Sequence, residues 1–520
     1  MNAIEDYLLS LPDGHPLQVS IRTYSLALSL SLGPALLSFI VSPKARSKGV
    51  LGLQTIVKRE LKITSFPFAI TVAIGGGSAL QYLWKRLETD LDDTLASPKQ
   101  PWSPRFGRLA NQLQALKEYI SSISQERKTF AIYACSSFVA IVLMQARRLS
   151  SKKLGITMPL ISTSRRNVTG RTSATLDLTL LLLVRALDAA VQHVVFKRVG
   201  EEHDDARRWR QHITTKIDAM VFWASSARLP SSYMKWITSM ANIDPRLSSG
   251  LRAIRSGQWS YINGTKLQPN MLATLSQDLG YPASWGTPLS VPAYGGSMAN
   301  ASWKALGVSG RDGVGGVPCE IIHGTGGVSC TGNAIFRAQH AFLKAVAIYL
   351  PVHFIPILLT RPRSLLRLPE IFRLLIGAVR SASFLSTFVS SIWMAICLTR
   401  THLIARLLPK ISHDFYDGPF GCIMAGCLAC GSSIWIENGR RRGEMALYVL
   451  PRAIRACLPN TWARSGKGSV YALERIAFTL SLAHLLTSGT YRMDTNRGLA
   501  RWTLNFVLNG PNAAFRKQQG

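Results

Sequence analysis

The sequence predicts an all-α, polytopic membrane protein made of two related four-helix-like transmembrane modules. Three observations predict it: apolar stretches of spanning length recur, basic residues collect in the breaks between them, and a motif of the first half returns in the second. The chain is 47% hydrophobic and only 17% charged, with 60 Lys and Arg against 28 Asp and Glu. A net charge of +32 suits a nucleic-acid binder, but such proteins are richer in charge and poorer in long apolar runs. Nucleic acid is therefore not expected as a partner. An excess of Lys and Arg beside spans marks the loops of a membrane protein that stay untranslocated.

A stretch of roughly 17–25 apolar residues is long enough to cross a bilayer as a helix. In the first half, Leu17–Val41, Ile63–Trp84, Phe130–Ala146 and Leu176–Phe196 meet this rule. In the second half the candidates are Ala341–Leu359, Ala382–Leu398, Pro419–Ile436, the short Met445–Leu458 and Val470–Ser488. Gly75–Gly77 inside the second segment reads as a packing or kink site. The expected division is a first transmembrane module over 1–199, a polar segment over 200–340, a second module over 341–510 and a tail over 511–520. The polar segment opens with charges and continues with Phe222, Trp223 and Trp236, a pattern for a helix at the membrane surface. From Gly257 to Gly332 it is rich in Gly, Ser, Pro and Asn without period, and reads as irregular extramembrane chain.

The repeat rests on one gapless superposition. Laying Leu176–Ala189 on Gly443–Ala456 pairs Leu180, Leu183, Arg185, Ala186 and Ala189 with Leu447, Leu450, Arg452, Ala453 and Ala456. Internal repeats are common in transporter-like membrane folds. The loop charges agree with a repeated topology. Residues 42–62 carry six basic residues and one acid, and 147–173 carry seven and none. Between them, 85–128 has eight basic and six acidic residues. Residues 361–380 carry five basic and one acidic, whereas 400–418 carry three and two. Strongly basic loops follow odd-numbered helices and are expected on one side. Arg440, Arg441 and Arg442 then act as a stop signal on that side, facing away from the N-terminus and the middle segment.

Candidate sites come from small and charged residues in apolar surroundings. Gly418, Cys422, Gly426 and Cys430 form one row at a spacing of four, and Gly421, Ala425, Ala429 and Ser433 form the next. Such a face lets another backbone approach closely, so Gly421, Cys422, Ala425, Gly426, Ala429 and Cys430 are read as a packing or groove surface. Arg185 with Asp188, and Arg452 with Arg455, are intramembrane charges that need a partner, water or headgroups. They fit a polar groove, or structural pairs and snorkelling side chains. Cys319, His323, Cys330 and His340 have the spacing C-x3-H-x6-C-x9-H. Thiolate and imidazole are zinc ligands, but this spacing matches no common zinc module, and neither a metal nor another cofactor is expected. The other thiols, Cys135, Cys397, Cys422, Cys427 and Cys430, lie in apolar segments and read as packing residues. The glycines at 313–316 and 324–327 lack a following Lys-Ser/Thr and make no phosphate loop. No catalytic constellation is visible, and the chain is not expected to be an enzyme.

From Cys319 to about Leu458 the pieces have a familiar order. A Cys/His segment leads into "KAVAIYLPVHFIPILL", then "LPEIFRLLIGAVRSASFLSTFVSSIWMAI", then "FGCIMAGCLACGSSIWIE", a basic break and "RRGEMALYVLPRAIRA". This stretch, residues 319–458, resembles the N-terminal region of the transmembrane protein 135 family. That family is similar to the mitochondrial inner-membrane translocase and peroxisomal membrane protein superfamily. The resemblance implies a multi-pass protein of a mitochondrial or peroxisomal membrane, with a non-enzymatic role in lipid or metabolite handling or organelle organisation. A transport or translocation channel is the first alternative, and a scaffold binding partners through 200–340 the second. The expected partners are the lipid bilayer, a lipid or polypeptide cargo, and membrane proteins or further copies of the chain.

Overall fold

The computed structural model describes residues 10–41, 49–96, 122–150, 175–196, 204–239, 311–312, 314, 319, 323, 329–360, 367–411, 415–416, 419–458 and 468–515. Among these, every regular element is a helix. The main ones are α1 (Pro16–Val41), α2 (Gly49–Glu60), α3 (Phe66–Thr71), α4 (Gly77–Ala96), α5 (Gln125–Ser150), α6 (Leu176–Phe196) and α7 (Asp204–Ser239). They continue with α8 (Cys330–Thr360), α9 (Leu368–Cys397), α10 (Met424–Gly431), α11 (Gly439–Cys457), α12 (Gly468–Tyr491) and α13 (Gly498–Phe515). Three described helices are long and apolar enough to cross a membrane: Phe66–Arg86, Gln125–Ala146 and Leu368–Leu407. Gly421–Ile436 is a shorter apolar helix. The remaining expected spans lie in α1, α6, α8, α11 and α12. Of the charged loops used for the topology argument, 85–128 and 147–173 lie mostly outside the described residues, as do the glycine runs at 313–316 and 324–327.

Packing divides the chain differently from the expected modules. One unit comprises 1–202 with 461–520, and the other comprises 203–460. The expected module over 341–510 is thus cut near residue 460. The cause is the apolar face of α12. Phe478, Leu482, Ala483 and Leu486 are buried with Tyr133, Ala140, Ile141 and Met144 of α5 in one core. Polar contacts fix the same docking. Thr175 donates to the buried carboxylate of Glu474, Arg475 donates to Gln145 at 2.7 Å, and Arg492 pairs with Glu126.

Within this first unit, α3 and α4 are joined by a π-helical turn, Val72–Gly76. A Cβ on Gly75 would strike Ser20 of α1, and one on Gly77 would strike Tyr133 of α5. Both glycines are therefore close-approach sites, and the π turn is the local irregularity that the run Gly75–Gly77 introduces. Ser136 donates to the carbonyl of Ala73 at 2.7 Å, giving that turn a partner. At Gly510 the backbone has φ 88° beside Pro511, and α13 kinks there over Asp13 and Arg22.

The second unit is built on an antiparallel hairpin of α8 and α9. Its register is marked by Cys330 beside Cys397, Arg337 3.6 Å over the Trp393 ring, Ser386 donating to Ala338, and Gly377 against His353. The helix expected at the membrane surface, α7, packs one face into this unit's core. Ala219 and Phe222 are buried with Phe384, Ile434 and Ala446, and the Phe222 and Phe384 rings meet edge-on at 5.7 Å. An apolar face with small residues beside it, rather than a lone aromatic belt, lets α7 pack against α10 and α11.

Candidate metal centre

The site lies at the end of the α8–α9 hairpin where α8 begins and α9 ends. Antiparallel packing of helices of 31 and 30 residues brings Cys330 and Cys397 together. Cys319 and His323, just before α8, complete a buried group. The three sulfurs and a ring nitrogen of His323 all lie within 4.8 Å of one another. His323 Nε2 is 3.2 Å from Cys397 Sγ. His323 is 0% exposed, and the three cysteines are buried around it.

The residues after Cys397 form a π-helical turn, Leu398–His402, which carries Arg400 and Thr401 onto the same face. Thr401 Oγ1 is 2.9 Å from Cys319 Sγ, and Arg400 Nη1 is 3.7 Å from it. Arg311 donates to the carbonyl of Arg400 and holds this turn. Arg311 and Arg400 are among the most deeply buried large side chains. Buried cations beside a sulfur favour its ionised form. The Cys319 thiol is held below its ordinary range. The hydrogen bond from Cys330 is the largest cause and that from Cys397 the next, with Arg400 and Thr401 adding to them against desolvation. Cys330, donating to Cys319, is pushed up to about 11.

Of the four residues that the spacing singled out, three meet and His340 does not. His340 lies ten residues beyond Cys330 in the same helix, about 15 Å along its axis at the usual rise. Its ring packs on Phe336 at 4.1 Å, and its Nδ1 is 3.1 Å from the Phe336 carbonyl. Cys397 takes the fourth place. Sequence reading missed it because an isolated thiol in an apolar helix carries no spacing signal. The only local mark is the pair Arg400-Thr401 one turn later.

The small-residue segment is sandwiched within its unit. A Cβ on Gly426 would sit 3.2 Å from both the carbonyl oxygen and Cγ2 of Ile392 in α9. Gly431, outside the expected set, meets Trp223 of α7, whose Nε1 donates to the Leu428 carbonyl at 2.5 Å. Gly421 lies against the backbone of Phe415 and Tyr416. Cys422, Cys427 and Cys430 are buried, whereas Ala425 and Ala429 are partly buried. Asp188 is paired with Arg497, a residue the sequence did not single out, and Arg185 sits half-buried on the same helix. Arg452 lies 3.8 Å over the Tyr448 ring and donates to that residue's carbonyl, and Arg455 is half-buried.

Two members of the arginine triplet have defined partners. Arg441 reaches Ser381 Oγ at 3.1 Å and His353 Nε2 at 2.8 Å, and Ser381 in turn donates to Glu437 at 2.8 Å. Arg442 covers the Trp435 ring and donates to the carbonyls of Trp435 and Glu437. Arg440 lies in α11, and its side chain is outside the described set. Compared with known protein families, curated proteins and solved structures, the chain matches none.

Proposed function

We propose that this chain is a multi-pass protein of a mitochondrial or peroxisomal membrane that works non-enzymatically, in lipid or metabolite handling or in organelle organisation. The observation that carries the membrane part is the inside-out polarity of α9. Leu368, Phe372, Ile376 and Val379 are exposed along its first turns, while Ser381 and Ser386 farther along are buried. Water would drive those apolar side chains inward, whereas lipid leaves them at ease outside and requires the polar groups to find partners within. Ser381 and Ser386 have them, in Glu437 and the Ala338 carbonyl. The organelle and the lipid role rest on the resemblance of residues 319–458 to the transmembrane protein 135 family.

Alkaline carbonate extraction and imaging of a tagged chain against markers of both organelles test this reading. The chain is expected in the membrane pellet and with one of the markers, and its deletion is expected to change that membrane's lipid composition or shape. Release into the supernatant would exclude membrane insertion. A transport path is the second reading. It is favoured by His353 of α8, Ser381 of α9, Glu437 and Arg441 meeting between apolar helices. Solute flux into vesicles that depends on Arg441 would select it.

A further inference from the structure

We propose that Cys319, His323, Cys330 and Cys397 bind one zinc ion, in a closed Cys3His site that clamps the end of the α8–α9 hairpin. The donor set is the first argument. Three sulfurs and one imidazole nitrogen are a common structural zinc environment, with tetrahedral Zn–S near 2.3 Å and Zn–N near 2.0–2.1 Å. Those bond lengths place tetrahedral donors about 3.3–3.8 Å apart. The four donors here already lie within 4.8 Å, so small rotamer changes suffice to close on an ion. Thiolates and imidazole select zinc over hard cations, and a fourth protein ligand leaves no open position for substrate.

Charge is the second argument, independent of the first. Three thiolates and a neutral imidazole around a divalent ion leave a net single negative charge. The guanidinium of Arg400, 3.7 Å from Cys319 Sγ, offsets that charge. Thr401 at 2.9 Å from the same sulfur is the kind of outer partner that orients a ligating thiolate. The placement is the third. The ligands come from the chain before α8, the first residue of α8 and the last residue of α9. One ion therefore ties together three places that no helix connects. This inference is independent of the organelle and of the lipid role.

The test uses the full chain purified in detergent without chelator. Elemental analysis is expected to give one zinc per chain, and X-ray absorption at the zinc edge three sulfur and one nitrogen neighbours. Cys397→Ser and His323→Ala are expected to lose the zinc. His340→Ala and Cys427→Ser are expected to keep it. If a ligand variant fails to fold, cobalt exchanged into the parent chain decides the matter, since tetrahedral thiolate ligation gives intense visible and charge-transfer absorption. The proposal is overturned by a zinc-free parent chain that takes up neither metal when supplied. It is equally overturned by an iron–sulfur cluster, by a disulfide among these cysteines, or by zinc retained in Cys397→Ser.

Discussion

At the scale of single residues, glycine spacing was the most informative signal. The row through Gly426 was legible because residues four apart share a helix face, and Gly426 does face the backbone of Ile392. Gly426→Leu adds four carbons against an oxygen already 3.2 Å from an ideal Cβ. It is expected to cost about 1–3 kcal/mol and to lower the unfolding midpoint in detergent while leaving insertion intact. A parent-like midpoint would mean that the face has room. Gly431 was not legible, since nothing local says that Trp223 of α7 presses there. Asp188 makes the same point for charge. Its need for a partner was clear from its apolar surroundings, but the partner is Arg497, in the part of the chain that follows α12. A double-mutant cycle of Asp188→Ala with Arg497→Ala should give a coupling of about 0.5–3 kcal/mol. Additive effects would remove the pair from any account of how α13 docks.

At the scale of elements, helix existence followed from composition, and helix partnership did not. The superposition of 176–189 on 443–456 sets α6 opposite α11, and so α7, next after α6, opposite α12, next after α11. In the folded chain α12 packs against α5 and α6, while α7 packs against α10 and α11. Under that reading of a duplication, α12 packs in the unit of α5 and α6, and its counterpart α7 in the unit of α10 and α11. A chain ending before Gly468 should then lose protease resistance in α5 and α6, whose core contains Phe478 and Leu486. The α8–α9 hairpin should stay resistant. Parallel loss of both would show that the two units unfold as one.

For the whole molecule, charge distribution predicts orientation. Cysteine labelling is expected to find positions at Lys48, Lys152 and Arg440 accessible from one side of the membrane. Positions at Asp92 and Gly264 should be reached from the other. Lys152 and Asp92 on the same side would end the alternating topology. The Cys/His group then shares its side with Gly264, because Cys330 begins the first helix of the hairpin and Cys397 ends the second.

The sequence alone determined that the described residues are helical and where the apolar helices run, though not α2 or α13, because hydropathy, proline and glycine act on the few neighbouring residues that make one helix. It picked out Cys319, His323 and Cys330 as a Cys/His group without expecting a metal there, and it showed that Arg185, Asp188, Arg452 and Arg455 need partners. Tertiary structure decided the rest: Cys397 rather than His340 beside Cys319, Arg497 beside Asp188, and α12 in the unit of α5. Helical geometry rules out His340, whose place along α8 puts it about 15 Å from Cys330, and antiparallel packing brings in Cys397 from the far end of α9. Contacts between distant segments depend on how two shaped surfaces fit, and that complementarity leaves no period or spacing in the string of residues.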